Sequence, residues 1–338
     1  MKNAPSVQVI ERNLALLETY RRVLVFGPPA HFRLPSLSIE RIVTFDHAVY
    51  RSMADLYGAA LCCAVEPDPN LNADAAIVFL PKAKQELALV LAFVAPMLAP
   101  GAQLFLVGEK RGGIESAAKQ LATLGQKYFK VDSAKHCQLW QVSVDVAPKP
   151  FRLDDWIQVY EADLAGCRMK IATMPGVFSF GRLDDGTSLL LSNLPSGLRG
   201  RVLDFGCGSG IIGCFLKLTR PELRVELVDS HRLALVCAER TCQLNGVEAK
   251  VHASDGWSDI EGRVDAVVSN PPFHAGVRTE YDTTEHFIRQ ARDHLNKSAP
   301  MVLVANSFLT YPVVLDQVFG NCETLAENTR FRVYLARR

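Results

Sequence analysis

The sequence predicts an α/β fold made of two tandem Rossmann-like domains, each built on a mostly parallel sheet. Three observations lead there. Short apolar β-type runs alternate with helical segments through the second half of the chain, the pattern of strand–helix–strand units. The first half repeats the strand signals of the second in the same order. Arg22-Val23-Leu24-Val25-Phe26-Gly27 matches Arg201-Val202-Leu203-Asp204-Phe205-Gly206, and Asp74-Ala75-Ala76-Ile77-Val78 matches Asp265-Ala266-Val267-Val268. Ala102-Gln103-Leu104-Phe105-Leu106-Val107 then matches Ala299-Pro300-Met301-Val302-Leu303-Val304. A long internal period of this kind reads as a duplicated domain. Third, two prolines in three residues make Asp145-Val146-Ala147-Pro148-Lys149-Pro150 a stiff connector. The expected domains are therefore 1–147 and 148–338.

Within the second copy, strands are expected at 202–205, 224–228, 264–269 and 301–305, with helices at 211–218, 232–245 and 284–295. A hairpin turning at Ala165-Gly166, with strands near 156–160 and 167–173, should precede them. In open sheets of this type ligands bind beyond the carboxyl ends of the strands, so motifs at strand ends share one crevice.

Composition narrows the class. Hydrophobic residues make up 49% of the 338 and charged residues 22%, enough for a core in each half. A net charge of +1 is not that of a uniformly basic nucleic-acid binder, though it allows a local basic patch. Between Lys82 and Lys135 there are eight basic residues against four acidic ones, a net positive segment that attracts phosphate and also reads as an ordinary solvated face. The 9 cysteines include no CxxC pair, which suits reduced thiols in a cytoplasmic protein, and neither they nor the histidines have metal-ligand spacing. The apolar stretch at 87–98 is too short to span a membrane and is broken by Pro96. No long apolar run follows Lys2, so no signal peptide is expected.

Two constellations carry chemistry. Asp204-Phe205-Gly206-Cys207-Gly208-Ser209-Gly210 ends a strand and opens a helix. Gly206, Gly208 and Gly210 allow a tight turn and a close ligand approach. Asp204 can hold the ammonium end of an amino-acid cofactor. Asp229 ends the next strand, where a carboxylate can take both ribose hydroxyls in a fork. Ser254-Asp255 follows the third strand signal, and Asp255 can accept an adenine amino hydrogen. Trp257 beside it reads as core. Cys207 has no neighbouring histidine to activate it and is not expected to be a nucleophile.

The second constellation is Ser269-Asn270-Pro271-Pro272-Phe273. A proline pair at a strand end makes a rigid loop. The Asn270 side-chain oxygen and the Pro271 carbonyl can each accept one hydrogen of a planar amine whose lone pair is delocalised into a ring. That grip favours the pyramidal nitrogen needed for attack. Phe273 can stack on the base, worth roughly 1–3 kcal/mol. The catalytic group is thus Asn270, Pro271, Pro272 and Phe273.

With these residues in view, the chain resembles the ribosomal small-subunit methyltransferase C family (RsmC), guanine-N2 methyltransferases of 16S rRNA. The likeness runs through Pro175-Gly176-Val177-Phe178-Ser179, Gly186 with Leu189-Leu190-Leu191, the Asp204 to Gly208 loop, Asn270-Pro271-Pro272-Phe273-His274 and Pro312-Val313-Val314-Leu315-Asp316. Val107-Gly108-Glu109 and Val131-Asp132-Ser133-Ala134 extend it into the first half. The resemblance implies two class I methyltransferase domains with seven-stranded-type sheets, the N-terminal one degenerate and the C-terminal one catalytic. It implies S-adenosylmethionine as cofactor, held by Asp204, Gly206, Gly208, Gly210, Asp229, Ser254, Asp255 and Asn270. Gly186 and Thr187 lie in a segment, beginning near Asp184, that reads both as a helix N-cap and as a cover for the cofactor's methionine end. The implied partner is 16S rRNA within the 30S subunit, with no membrane and a monomeric enzyme. Ser209 departs from the alanine of the family, and Asp255 from its asparagine.

The alternatives differ in target or in class. A 23S guanine-N2 enzyme has the same two-domain organisation, and adenine-N6 or glutamine-N5 methylation uses the same amine grip. A non-catalytic RNA-binding assembly factor would leave the site silent. In the first copy Val25 stands at the position of Asp204 and Phe79 at that of Asn270, so this copy is not expected to bind the cofactor.

Overall fold

The computed structural model describes residues 3–271 and 278–338, with side chains from Thr284 onward in the second stretch. The chain divides into two compact units, Met1–Trp156 and Ile157–Arg338.

The first unit contains strands β1 (Val23–Phe26), β2 (Ile39–Thr44), β3 (Leu61–Cys63), β4 (Ala73–Phe79), β5 (Leu98–Glu109), β6 (Tyr128–Ala134) and β7 (Cys137–Ser143). They form one sheet in the order β3-β2-β1-β4-β5-β7-β6. Helices α1 (Pro5–Arg12), α2 (Leu14–Leu17), α3 (His47–Tyr57), α4 (Glu86–Val94) and α5 (Ile114–Ala117) accompany it. The second unit opens with the hairpin β8 (Gln158–Leu164) and β9 (Cys167–Thr173), then α6 (Asp185–Leu191). Its core alternates β10 (Arg201–Phe205), α7 (Ile211–Thr219), β11 (Arg224–Asp229), α8 (Arg232–Leu244), β12 (Lys250–Ala253), β13 (Ala266–Ser269), α9 (Arg278–His294), β14 (Pro300–Asn306) and α10 (Tyr311–Phe319). Strands β15 (Glu323–Glu327) and β16 (Phe331–Arg337) close it, giving the order β12-β11-β10-β13-β14-β16-β15.

The two sheets have one topology. Five strands run parallel and the last two pair antiparallel in each. The expected duplicated α/β architecture is present. Its cause lies in the strand sequences. β1 (Val-Leu-Val-Phe) and β10 (Arg-Val-Leu-Asp-Phe) are central strands covered on both faces, so they read as continuous apolar runs. Period-two alternation then sorts the second unit's core. Val202, Val268 and Val302 face Leu190, Ile212 and Leu216. Leu203, Val267 and Met301 face Phe287, Ile288 and Tyr311 on the other side. In the first unit the Asp46 carboxylate caps α3 by accepting from the amides of Ala48 and Val49.

Local differences from the sequence expectation have simple causes. Trp156 lies in a short 3-10 turn, Leu153–Trp156, and the hairpin strand starts only at Gln158. β13 starts at Ala266, and Val264 makes only an isolated bridge to Leu295. α9 begins at Arg278, ahead of Thr284. Phe151, directly after the connector, packs edge-on against Phe93 of α4, with ring centroids 5.4 Å apart, which ties that segment to the first unit. Among the described residues no helix is long and apolar enough to cross a membrane.

Candidate active site

Parallel pairing brings the ends of β10, β11, β12 and β13 to one edge of the second sheet. Asp204 lies beside Leu227 and Val268, and Asp229 beside Ala253. Asp204, Asp229, Ser254-Asp255 and Asn270 therefore stand at successive strand ends along that edge.

After β10 the chain turns through Gly206, Gly208 and Gly210, with φ of +65°, +52° and +74°. L-residues with a side chain rarely adopt such values. Gly210 also leaves no room for one, since a Cβ there would lie 2.8 Å from the Cα of Ala238. The loop is pinned from below. Gly208 N donates to Asp229 Oδ2 at 2.9 Å, and His231 N donates to Asp229 Oδ1 at 2.9 Å.

Asp204 is fully buried. Its Oδ2 accepts from Gly213 N at 2.8 Å, while Oδ1 is buried with no hydrogen-bond partner among the described residues. Burial pushes this carboxyl up to about 7, with the Asp229 charge adding to the effect. The Ser209 hydroxyl, in the same loop, is also buried without a partner. Natural interiors seldom leave such atoms unmatched. A cation at Asp204 and a vicinal diol at Asp229 would match the two carboxylates, the two ends of an amino-acid nucleoside. Cys207 is buried, and desolvation together with the Asp229 and Asp204 charges holds its thiol well above the usual range, as suits a non-nucleophilic residue.

At β12, Ser254 N donates to Asp229 O at 3.1 Å and the Ser254 hydroxyl donates to Gly256 O at 2.8 Å. Ser254 thus shapes the turn that carries Asp255, which is half-buried. Trp257 is core. It stacks on Phe287 at 4.5 Å and its Nε1 donates to the Phe287 carbonyl.

Asn270 follows β13, whose last residue, Ser269, donates its hydroxyl to the Phe205 carbonyl and so joins the two strand ends. Asn270 Nδ2 donates to Asp184 Oδ2 at 3.0 Å and to Thr187 Oγ1 at 2.9 Å. Asp184 is also the N-cap of α6, accepting from Thr187 N at 2.9 Å. Gly186 is confined here, because a Cβ would meet Asp184 Oδ2 at 2.9 Å and the Phe331 ring at 3.1 Å. Pro271 is buried, while Pro272 and Phe273 lie outside the described residues. Sequence reasoning read Asp184 as a cap and missed its bond to Asn270 as well as the Ser269 link. The capping signature was the available signal for Asp184; a contact across 86 positions had none.

The segment before α6 folds over the glycine loop. A Cβ on Gly208 would touch Phe178 Cβ at 4.0 Å, and the Phe178 ring is half exposed at 51%. The Arg182 carbonyl is held by the hydroxyls of Tyr160 and Ser179, each at 2.9 Å.

The corresponding edge of the first unit lacks these acidic and amide groups. Register places Val25 at the position of Asp204, Thr44 at that of Asp229 and Phe79 at that of Asn270. Phe79 packs edge-on against Phe32 at 5.7 Å, and Phe26, Phe45 and Phe93 form a second aromatic cluster.

The sheet order, the glycine loop and the Asn270 strand end define a class I methyltransferase domain. The family described as "Methyltransferase small domain" matches residues 168–335, and "Methyltransferase small domain N-terminal" matches 7–160. The chain is 40% identical over 335 residues to the ribosomal RNA small subunit methyltransferase C of Aeromonas hydrophila, covering 98% of this chain and 97% of that protein. It is 46% identical over 270 residues to the protein of the same name from Pseudomonas entomophila, covering 80% and 81%. Among solved structures, T. thermophilus RsmC, a 16S rRNA N2 methyltransferase bound to AdoMet and guanosine, superposes with a TM-score of 0.81 at 25% identity, over 96% of this chain and 91% of that one. The chain belongs to the ribosomal RNA small subunit methyltransferase C family.

Proposed function

We propose that the second unit transfers a methyl group from S-adenosylmethionine to the exocyclic 2-amino group of a guanosine in 16S rRNA, presented in the 30S subunit. One observation carries the reading. Both hydrogens of the Asn270 amide are taken by Asp184 and Thr187, which leaves its oxygen as the end of the amide able to accept a substrate hydrogen at the carboxyl end of β13. The cofactor supplies an activated methyl on a sulfonium that is already a good leaving group. Asp204 would hold its ammonium end, Asp229 its ribose diol, and Ser254-Asp255 would border its adenine.

The residues of the chain then act on the base. A guanine inside a helix cannot reach the strand-end crevice, so it is flipped out of its stack. Asn270 Oδ1 and the Pro271 carbonyl each accept one hydrogen of the 2-amino group. Both contacts would fix the nitrogen's orientation and lessen its conjugation with the ring. On accepting the methyl group the nitrogen would become positively charged, and the Asn270 oxygen and the Pro271 carbonyl would stabilise that charge. The nitrogen then releases one hydrogen as a proton to water. Positioning supplies most of the acceleration, and no general base is needed before transfer.

The first unit binds no cofactor in this reading, because Val25 and Phe79 replace Asp204 and Asn270, and Thr44 offers no carboxylate in place of Asp229. Its contribution is to hold RNA, through basic residues gathered at the carboxyl ends of β4 and β5. The enzyme works in the cytoplasm, where its substrate is. The test is methyl transfer from labelled S-adenosylmethionine to purified 30S particles, followed by nucleoside analysis and mapping. The expected product is N2-methylguanosine in 16S rRNA, at the nucleotide equivalent to that modified by the T. thermophilus enzyme. Label in 23S rRNA, on adenosine or on protein would overturn the assignment.

A further inference from the structure

We propose that Asp184 is a positioning residue that selects which face of the Asn270 amide meets the substrate. The inference deepens the reading of Asn270 as the amine's acceptor and rests on it.

An asparagine amide has two unlike ends, an acceptor oxygen and a donor NH2, and a half-turn about its last bond exchanges them. Only the oxygen end can take a hydrogen from a substrate amine. An NH2 pointed at the same amine would oppose donor to donor. The backbone does not decide between the two, so a neighbour must. The Asp184 carboxylate is acceptor-only when ionised, and its Oδ2 stands 3.0 Å from Asn270 Nδ2. With the amide reversed, Asn270 Oδ1 would face that carboxylate oxygen, acceptor against acceptor. Thr187 Oγ1 takes the second amide hydrogen at 2.9 Å and directs its own proton toward Asp184 Oδ2 at 3.4 Å. Donation therefore runs from Asn270 to Asp184 both directly and through Thr187, and the Asp184 carboxylate is the acceptor at which both routes end.

Asp184 Oδ2 is itself fixed. It accepts from Thr187 N at 2.9 Å as the cap of α6, and Gly186 leaves the space that the carboxylate occupies. The first helical turn of α6 therefore serves as a mount for the Asn270 amide. Supporting hydrogen bonds of this kind hold a reacting geometry tightly, and a misplacement of about 1 Å can cost roughly a hundredfold in rate.

The experiment separates positioning from helix capping. Serine caps helices about as well as aspartate but is too short to reach Asn270, so Asp184→Ser keeps the cap and removes the orienting bond. Asp184→Asn keeps an oxygen in the same place. In the 30S methylation assay, Asp184→Ser should lower kcat about tenfold to a hundredfold, with KM for both substrates and Tm close to the parent. Asp184→Asn should restore most of the rate. Thr187→Val should also lower kcat, and Thr187→Ser should retain it. Independently of substrate, the side-chain NH2 signals of Asn270, identified by their loss in Asn270→Asp, should exchange with solvent faster in Asp184→Ser.

An unchanged kcat in Asp184→Ser, or an Asp184→Asn variant as slow as Asp184→Ala, overturns the proposal. If Asp184→Ser unfolds, the Thr187 pair and the amide exchange in Asp184→Asn against Asp184→Ala decide it. Failure of the functional reading shows separately, as a parent enzyme that does not produce N2-methylguanosine.

Discussion

Gly208 and Asp229 are joined directly: the Gly208 amide donates to the Asp229 carboxylate at 2.9 Å across 21 positions of sequence. The loop after β10 and the end of β11 are therefore held together as one unit of the proposed cofactor site. Asp229→Ala removes the loop's anchor together with the carboxylate proposed to accept the ribose hydroxyls. Charge-assisted hydrogen bonds are worth roughly 1.5–3 kcal/mol, so S-adenosylmethionine affinity should fall about tenfold or more. Calorimetric titration measures it, and an undiminished affinity would remove Asp229 from the site.

Asp204 gives the site a pH dependence. Its carboxyl is raised to about 7 in the folded chain, chiefly by burial, against an ordinary value of 3.8. Between those values the folded state binds more protons than the unfolded one. Stability therefore falls as pH rises through that window and levels off above 7. Asp204→Asn removes this titration. In cofactor-free protein the variant should gain on the parent from pH 4 to pH 7, by an amount whose ceiling is on the order of 4 kcal/mol. Cofactor binding has the opposite sign. An ammonium group needs the ionised carboxylate, so parental affinity should drop as pH falls below 7, and Asp204→Asn should bind weakly at every pH. Urea unfolding and calorimetric titration across the pH series check both halves.

The sheet was legible because β10 and β13 carry apolar residues at consecutive positions, and the duplication because β1 and β4 repeat them. Register confirms the pairing of Val25 with Asp204 and of Phe79 with Asn270, positions aligned from sequence alone. The strand ends were legible because Asp204, Asp229 and Asn270 directly follow those runs. β15 was not legible, since Glu-Thr-Leu-Ala-Glu at a sheet edge needs little apolar surface. The Asp184–Asn270 bond was hidden for another reason. Sequence reports local preference, and Asp184 satisfies a local rule completely as a helix cap, so nothing in its neighbourhood signals a second duty. The same holds for the Arg330–Asp185 ion pair at 3.2 Å, which no local pattern announces.

Gly210 has two independent reasons to be glycine, its φ of +74° and the 2.8 Å approach of a Cβ to the Ala238 backbone. A backbone neighbour cannot turn aside as a side chain can. Gly210→Ala should cost about 1–3 kcal/mol from the conformation alone and more from the overlap. Because Gly210 starts α7, the loss should appear both in the urea midpoint and in cofactor affinity. A variant as stable as the parent would mean that α7 can move off α8 without penalty.

The proposal that the first unit holds RNA can be tested at one edge of its sheet. The Lys110 amide donates to the His136 carbonyl at 2.8 Å, which sets the β6–β7 turn against the end of β5. The Lys84 side chain lies across Gly113, bringing the loop after β4 to the same edge. Lys84, Lys110, Arg111 and Lys135 are thereby gathered, all exposed. Exposed cations in a group attract a polyanion more than any one of them does, and the attraction is lost with salt. Lys110→Glu combined with Lys135→Glu should weaken 30S binding several-fold at low salt. It should also flatten the plot of log affinity against log salt by roughly 1.5, the amount expected for two lost phosphate contacts. S-adenosylmethionine affinity, set in the other unit, should not change. If 30S binding and its salt slope match the parent while the double variant stays folded, RNA is not held at this edge, and the first unit's role lies elsewhere.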